Sequence, residues 1–377
     1  MPLEKNRVRY TQKAKNRLDK IETKNLNQNV LFGFDGFIDN IWTLVSERNS
    51  VEDYKVMNSM LTLNQRIKDS AGGGLSTEIL KKDKRAGGFN ANTARVLNYL
   101  GINTTLLSLF GEKENDEVFK DLVKDSEIIS LGDPCSAQIF EFEDGKLMFP
   151  NNEHIRKMNW DQLKNKVGLT KLIEIINKAD LLAFGYWSNM PYYDTIIKGI
   201  IEEVIPKIKD KKRKMFMDFG NVKKRSNYDL AEFSRSLGAL EKYFELTVSL
   251  NRTETIDTAA ALGIETELEK NNYINIAQEI RKEMGISNFV VHTNNFALSV
   301  NDSGAQKLEQ PYCENPVVTT GAGDTFNGGY ISAMIISDDP EIRLAAASST
   351  AGYFIRNAEP PTLEQLKTFL TNYQSLF

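Results

Sequence analysis

Thr319-Thr320-Gly321-Ala322-Gly323-Asp324-Thr325-Phe326 sets three small residues directly before a carboxylate, where apolar residues begin to recur at helical spacing. Small residues at a helix start leave backbone N–H groups unobstructed, and those groups together with the helix dipole attract an anion. Asp324, in the first turn, would lie beside that anion. It can accept a proton from a hydroxyl while the amides of Gly321, Ala322 and Gly323 stabilise charge on a group in transit. The plain alternative is a glycine-rich turn in which Asp merely favours a helix N-terminus. The P-loop pattern G-x-x-x-x-G-K-[ST] occurs nowhere in the chain, and Phe326 takes the place of the third glycine of a dinucleotide motif.

Gly87-Gly88-Phe89-Asn90-Ala91-Asn92 opens a second helical run, which ends at Gly101. Its glycines let a ligand approach the backbone, and an asparagine amide can bond to hydroxyls. Equally, Asn90 or Asn92 would cap the helix.

These segments need a scaffold. Apolar runs at residues 30–34, 104–109, 181–184, 214–218, 246–250 and 289–292 read as strands, and stretches at 90–100, 116–124, 160–176, 193–208, 228–243 and 274–284 as the helices between them. That alternation predicts βαβ units and a parallel sheet covered on both faces. Three further helices, 325–336, 342–354 and 362–376, are separated by Asp338-Asp339-Pro340 and Glu359-Pro360-Pro361. Residues 37–45 and a hairpin of 138–142 with 146–149, around Glu143-Asp144-Gly145, predict a small projecting sheet suited to a lid. Residues 46–86 form an insertion whose role is not readable, with a helix expected near 51–68. Residues 1–29 predict a charged extra helix outside the sheet.

With 41% apolar residues, the 377-residue chain can bury a large core, and its net charge of −4 gives no pull toward nucleic acid. No apolar run reaches the ~18 residues of a membrane helix, and the N-terminus lacks the apolar segment of a secretory signal. Cys135 and Cys313 are too far apart in sequence for a metal motif and predict reduced thiols in a cytoplasmic protein.

Residues 87–101 and 319–330, in that order on an alternating α/β pattern, resemble the two signature segments of the ribokinase / PfkB-type carbohydrate kinases. The resemblance covers residues 30–377 as one kinase domain, with lid strands near 35–45 and 135–150 and the 46–86 insertion as its least familiar part. It implies an α/β fold with a doubly wound, mostly parallel sheet and a small β-sheet lid. It also implies transfer of the γ-phosphate of ATP to a hydroxyl of a sugar or sugar-like substrate held between lid and sheet. By position in the motifs, Asp324 would be the general base and the Gly321, Ala322 and Gly323 amides the anion hole. Asp35, Asp39, Gly87, Gly88 and Asn92 would bind substrate, with Asp35 the leading contact, since a carboxylate accepts two hydroxyl bonds. Asn251-Arg252-Thr253-Glu254 resembles the family element that positions Mg2+, largely through water; it also reads as a capping box. Asp218, at a strand end, would point into the same crevice. Thr293, Asn294, Ala297 and Thr320 would meet the nucleotide.

The chain departs from the family pattern in two places. Val318 stands where many relatives carry an aspartate for a monovalent cation, and valine cannot ligate one, which argues against K+ activation. His292–Ala297 matches the nucleotide loop T-x-G-x-x-G with both glycines replaced, by Asn294 and Ala297. Asn tolerates left-handed backbone, but the change leaves ADP as donor open. A sugar kinase is the expectation. The alternatives are a nucleoside kinase, with Phe37, Trp42 or Phe89 clamping a base, and a catalytically weakened ligand-binding relative. The apolar lid residues Phe37, Ile38, Ile41, Trp42, Phe140 and Phe142 would either cover substrate or form a homodimer through the lid. No nucleic-acid or membrane partner is expected.

Overall fold

Seven strands lie parallel in one sheet, and their near-continuous apolar character follows from burial on both faces. The computed structural model describes residues 3–21, 27–209, 211–265 and 272–377. In chain order the strands are β1 (Asn29–Phe34), β2 (Phe37–Arg48), β3 (Tyr54–Val56), β4 (Ile79–Gly87), β5 (Asn103–Ser108), β6 (Ser126–Ser130) and β7 (Cys135–Phe142). They continue as β8 (Gly145–Asn151), β9 (Leu181–Gly185), β10 (Arg213–Met217), β11 (Phe244–Asn251), β12 (Asn288–His292), β13 (Phe296–Asn301) and β14 (Gly304–Glu309). The helices are α1 (Leu3–Leu18), α2 (Met60–Asp69), α3 (Phe89–Tyr99), α4 (Lys120–Asp125), α5 (Trp160–Val167), α6 (Leu169–Lys178) and α7 (Tyr193–Gly199). After them come α8 (Asn227–Ser236), α9 (Arg252–Leu262), α10 (Tyr273–Met284), α11 (Ala322–Ile336), α12 (Pro340–Asn357) and α13 (Leu363–Asn372).

The main sheet runs β14-β13-β12-β11-β10-β9-β1-β5-β6, parallel except that β13 pairs antiparallel with both β12 and β14. Alternate residues of single strands feed two cores: Leu182, Phe184 and Met215 on one face, Leu181, Ala183 and Phe216 on the other. From β1 the chain moves outward to β5 and β6, then returns to β9 on the other side of β1. That reversal opens a crevice beyond the carboxyl ends of the strands, where ligands of such sheets bind.

The lid is a second sheet, with order β3-β2-β7-β8 and β4 paired to β2. Gly36 makes the step from β1 into it, and a Cβ there would stand 2.1 Å from the Leu109 carbonyl oxygen. The insertion is part of this lid. It supplies β3, α2 and β4, and Leu63 of α2 packs with Met57 against Leu44, Phe140, Phe142 and Leu147. The hairpin turn fixes α2 in place, because Asp144 accepts hydrogen bonds from the Ser59 hydroxyl (2.7 Å) and the Met60 amide (2.8 Å). Much of the apolar character of the lid strands is therefore met from within the chain.

The expected helix over 160–176 is two helices, broken at Gly168 with φ of 84°. The hairpin β13–β14 was not among the expected strands; β13 is largely buried between its neighbours, while β14 forms the half-buried edge of the sheet. Helix α1 covers that edge, with an ion pair from Arg7 to Glu309, and reaches α12 through Arg9 to Glu341 and Lys13 to Asp339. Residues 22–26 of the expected N-terminal segment lie outside the described residues. No helix among the described residues is long and apolar enough to cross a membrane.

Helix α11 is apolar all round because it is enclosed. Its glycines set the distance to its neighbours: a Cβ on Gly328 would stand 2.6 Å from Val96 Cβ of α3, and one on Gly329 2.7 Å from Thr350 Oγ1 of α12. Helices α3 and α11 carry Asn92 and Asp324, so this contact sets the site. Gly328→Val is predicted to overpack the contact and cost about 1–3 kcal/mol of stability. Urea unfolding would read this as a lowered midpoint, and an unchanged midpoint would contradict it.

Candidate active site

Strand ends and helix starts meet in the crevice. Gly321, with φ of 84°, precedes α11 and no side chain caps it, so the first-turn amides keep no helical partner, although that of Ala322 donates to the Thr319 carbonyl at 3.3 Å. Gly323 is closely packed, since a Cβ would lie 3.3 Å from His292 Cε1. Asp324 is 8% exposed. Its Oδ2 accepts from Asn92 Nδ2 at 2.8 Å, and its Oδ1 accepts a short hydrogen bond from the Tyr186 hydroxyl. Burial lifts its pKa to about 6, against the pull of those two donors.

Two cavities flank the α11 N-terminus. One, of about 400 Å³, lies under the lid and is lined by Asp39, Gly88, Asn92, Tyr186, Asp218 and Asp324 among others. The other, of about 270 Å³, lies between the β12–β13 turn and α12, with Thr293, Asn294, Tyr312, Ala322 and Gly352 in its wall. His292 and Gly323 line both.

Asp35 and Asp39 take different places. Asp35 is fully buried and caps α3, accepting from the amides of Phe89 (2.8 Å) and Asn90 (2.9 Å). It does not line the cavity, so the expectation that it is the leading substrate contact does not fit; Asp39 lines the cavity instead. The two glycines admit both carboxylates: a Cβ on Gly87 would meet Asp39 Oδ2 at 2.3 Å, and one on Gly88 would meet Asp35 Oδ2 at 2.8 Å. Desolvation pushes Asp35 up to about 7 and Asp39 to about 6.

Asn251 and Glu254 form a reciprocal capping box at the start of α9 and line the lid cavity. Burial and the neighbouring Asp218 raise the Glu254 pKa well above the carboxylate range. Asp218, pushed to about 7 by burial and by Asp324, accepts from the Gly220 amide and from Asn327 Nδ2, both at 2.7 Å. Among the described residues no cluster of three or more His, Cys, Asp or Glu is placed to ligate an ion alone.

Thr293 and Asn294 line the second cavity, and Thr320 lines the first. Ala297 does not contribute; it is buried in β13, opposite His292. The glycine losses have a geometric reason. Thr293 and Phe296 close a tight turn, and Asn294 has no left-handed backbone, since Ala358 is the one non-glycine residue with positive φ among those described. Of the aromatic residues considered as a base clamp, Phe37 lines the lid cavity, while Phe89 is core and the Trp42 indole donates to Gln138.

Three residues at the site, Tyr186, Lys146 and Lys224, carried no sequence signal. Tyr186 follows β9 outside any motif. Lys146 reaches from the lid to the Thr320 hydroxyl. Lys224 lines the lid cavity and donates to Asn189 Oδ1 at 2.7 Å. His292 stacks on Phe326 with ring centroids 5.1 Å apart, and burial holds its pKa near 4, so the ring is neutral.

A family model of prokaryotic ketohexokinases matches residues 8–373. The ketohexokinase of Haloferax volcanii is 30% identical over 350 residues, covering 92% of each chain. Arabidopsis thaliana ribokinase, solved with ribose and ATP, superposes with a TM-score of 0.60 at 16% identity, covering 91% of this chain and 98% of that one. An Escherichia coli chain described as a ribokinase II, solved with ATP and Mg2+, gives 0.62 at 14% identity, with coverage of 92% and 99%. These structures establish the ribokinase fold: a doubly wound, mostly parallel sheet with a small β lid. With the family model spanning nearly the whole chain, the protein belongs to the prokaryotic ketohexokinase family, carbohydrate kinases of the ribokinase / PfkB type.

Proposed function

We propose that this kinase transfers the γ-phosphoryl group of ATP to a hydroxyl of a ketohexose, with Asp324 as the general base. The sugar comes from the family; the base comes from the site. The observation that carries the reading is the meeting of two cavities at the start of α11, one walled by Asp324 and both bordered by Gly323.

In this reading the sugar lies under the lid, with Asp39 and Asn92 bonding to its hydroxyls, and the nucleotide lies along Thr293, Asn294 and α12. The γ-phosphoryl oxygens take the amides of Gly321, Ala322 and Gly323. As the acceptor oxygen bonds to phosphorus, its proton passes to the Asp324 carboxylate and the bond to the β–γ bridging oxygen breaks, releasing ADP. Asp324, with a pKa of about 6, is ionised at neutral pH and able to take that proton. Most of the acceleration is positioning and charge stabilisation. The donor set suits Mg2+ held mainly by phosphates and waters: Glu254 and Asn251 face the cavity, and Glu254 sits in a carboxylate-rich pocket. Bound there, the ion would neutralise the phosphate oxygens, with Asp218 close by.

Incubation with Mg-ATP or Mg-ADP and a panel of D-fructose, ribose and adenosine, followed by nucleotide consumption, tests the substrate. Turnover with ATP and fructose is expected; turnover confined to adenosine would overturn the ketohexose assignment. Asp324→Asn is predicted to lower kcat by at least ~10³-fold, within the span of general-base losses.

The charge cluster also predicts a pH-dependent stability. The raised pKa of Asp324 means that its ionised form disfavours the fold, a cost absent below about pH 4 and complete above about 6. Without nucleotide, Asp324→Asn should melt higher than wild type at pH 8, and the gap should close toward pH 4. A lower melting temperature for the variant at pH 8 would contradict this.

A further inference from the structure

Both oxygens of the proposed base already hold a donor. Asn92, from α3 and a sugar contact in the proposed reading, also donates one amide N–H to Asp324 Oδ2. The other donor, Tyr186, comes from the turn after β9, at the reversal of the sheet. Its ring lies edge-on to Phe89 with centroids 5.7 Å apart. Gly220 keeps the space behind it open, since a Cβ there would stand 2.8 Å from Tyr186 Cβ. The phenol is therefore fixed from two sides with its hydroxyl aimed at the carboxylate.

We infer that Tyr186 is a positioning residue for Asp324: its hydroxyl, acting with the Asn92 amide, fixes the carboxylate and holds it anionic in a cluster of like charges. The inference rests on the reading of Asp324 as the base. Each carboxylate oxygen has two acceptor positions, so two donors still leave places for a substrate hydroxyl. A hydrogen bond to the charged form favours ionisation. The phenol itself does not ionise in the working range, because burial and Asp324 raise its pKa well above the ordinary value.

The need for such a donor follows from the surroundings. Asp324 is buried and is faced by Asp35 after β1, Asp39 on β2, Asp218 after β10 and Glu254 on α9, each of whose pKa values its own charge raises, so the cluster favours few ionised members. The nearby basic groups are neutral His292 against Gly323, Lys146, which is directed to Thr320, and Lys224, which lines the same cavity and is directed to Asn189. Among the described residues the Tyr186 hydroxyl bonds to none of the other carboxylates, so removing it singles out Asp324.

The test is the pH dependence of kcat for wild type, Tyr186→Phe and Asp324→Asn, with sugar and nucleotide saturating. Phe keeps the ring that packs on Phe89. Loss of the donor should raise the Asp324 pKa, moving the acid limb of the profile up by roughly one pH unit, the scale of one hydrogen bond to a charged oxygen. Below the inflection kcat should fall about ten-fold, with a smaller change on the plateau. A Tyr186→Phe profile that superimposes on wild type, while Asp324→Asn is inactive, overturns the role of Tyr186 and leaves the base standing. An Asp324→Asn variant with wild-type turnover and the same acid limb overturns the base itself. Tyr186→Met, lacking both ring and hydroxyl, repeats the measurement should the Phe variant melt too low to assay, and its limb must move in the same direction.

Discussion

Like charge gathered in one crevice is the constraint that shapes this molecule. Asp35, Asp218, Glu254 and Asp324 lie at the carboxyl ends of the sheet strands or in the first turns of the helices that follow, Asp39 reaches in from lid strand β2, and burial raises the pKa of each. Three helix N-termini converge there and offset part of the cost. Asp35 takes two amides of α3, Glu254 belongs to the capping box of α9, and Asp324 occupies the first turn of α11. Specific donors supply more: Asn327 for Asp218, and Asn92 with Tyr186 for Asp324. On the proposed reading, a cation carried in with the nucleotide relieves the remaining repulsion, so the charge that weakens the fold strengthens the complex.

The rest of the architecture serves that crevice. Sheet reversal between β1 and β9 opens it, and glycines of α11 bring Asn92 and Asp324 within hydrogen-bonding distance across the α3–α11 contact. The lid closes the other side. Its insertion is structural, since β4 extends the lid sheet to Gly87 and α2 covers the outer apolar face. The same chain segment thus completes the lid and delivers the backbone that enters α3.

Much of this was legible in the sequence, for physical reasons. The parallel strands announced themselves as apolar runs because both of their faces are buried, and the α11 start because three small residues before an acid have few other uses. What was hidden depends on contacts between distant segments. Tyr186, Lys146 and Lys224 sit in no motif, and only the fold brings them to the crevice. Asp35 and Asp39 look interchangeable on an extended chain; the fold separates them, giving one to the α3 amides and the other to the cavity. The edge strand β14, Gly304–Glu309, is half-buried and carries no apolar run to mark it. Ala297 seemed part of a nucleotide loop because a pattern was matched position by position, whereas the tight turn at Thr293–Phe296 draws it into the sheet.

The central claim is spatial: a phosphoryl group on the α11 amides, within reach of the adjacent carboxylate. A crystal structure of the ternary complex with Mg2+, a non-hydrolysable ATP analogue and D-fructose addresses it directly. The account predicts terminal phosphate oxygens on the amides of residues 321–323 and one sugar hydroxyl within about 2.6–3.2 Å of an Asp324 oxygen. A sugar bound beneath the lid with every hydroxyl turned away from Asp324, or a phosphate chain that bypasses the α11 N-terminus, would contradict it.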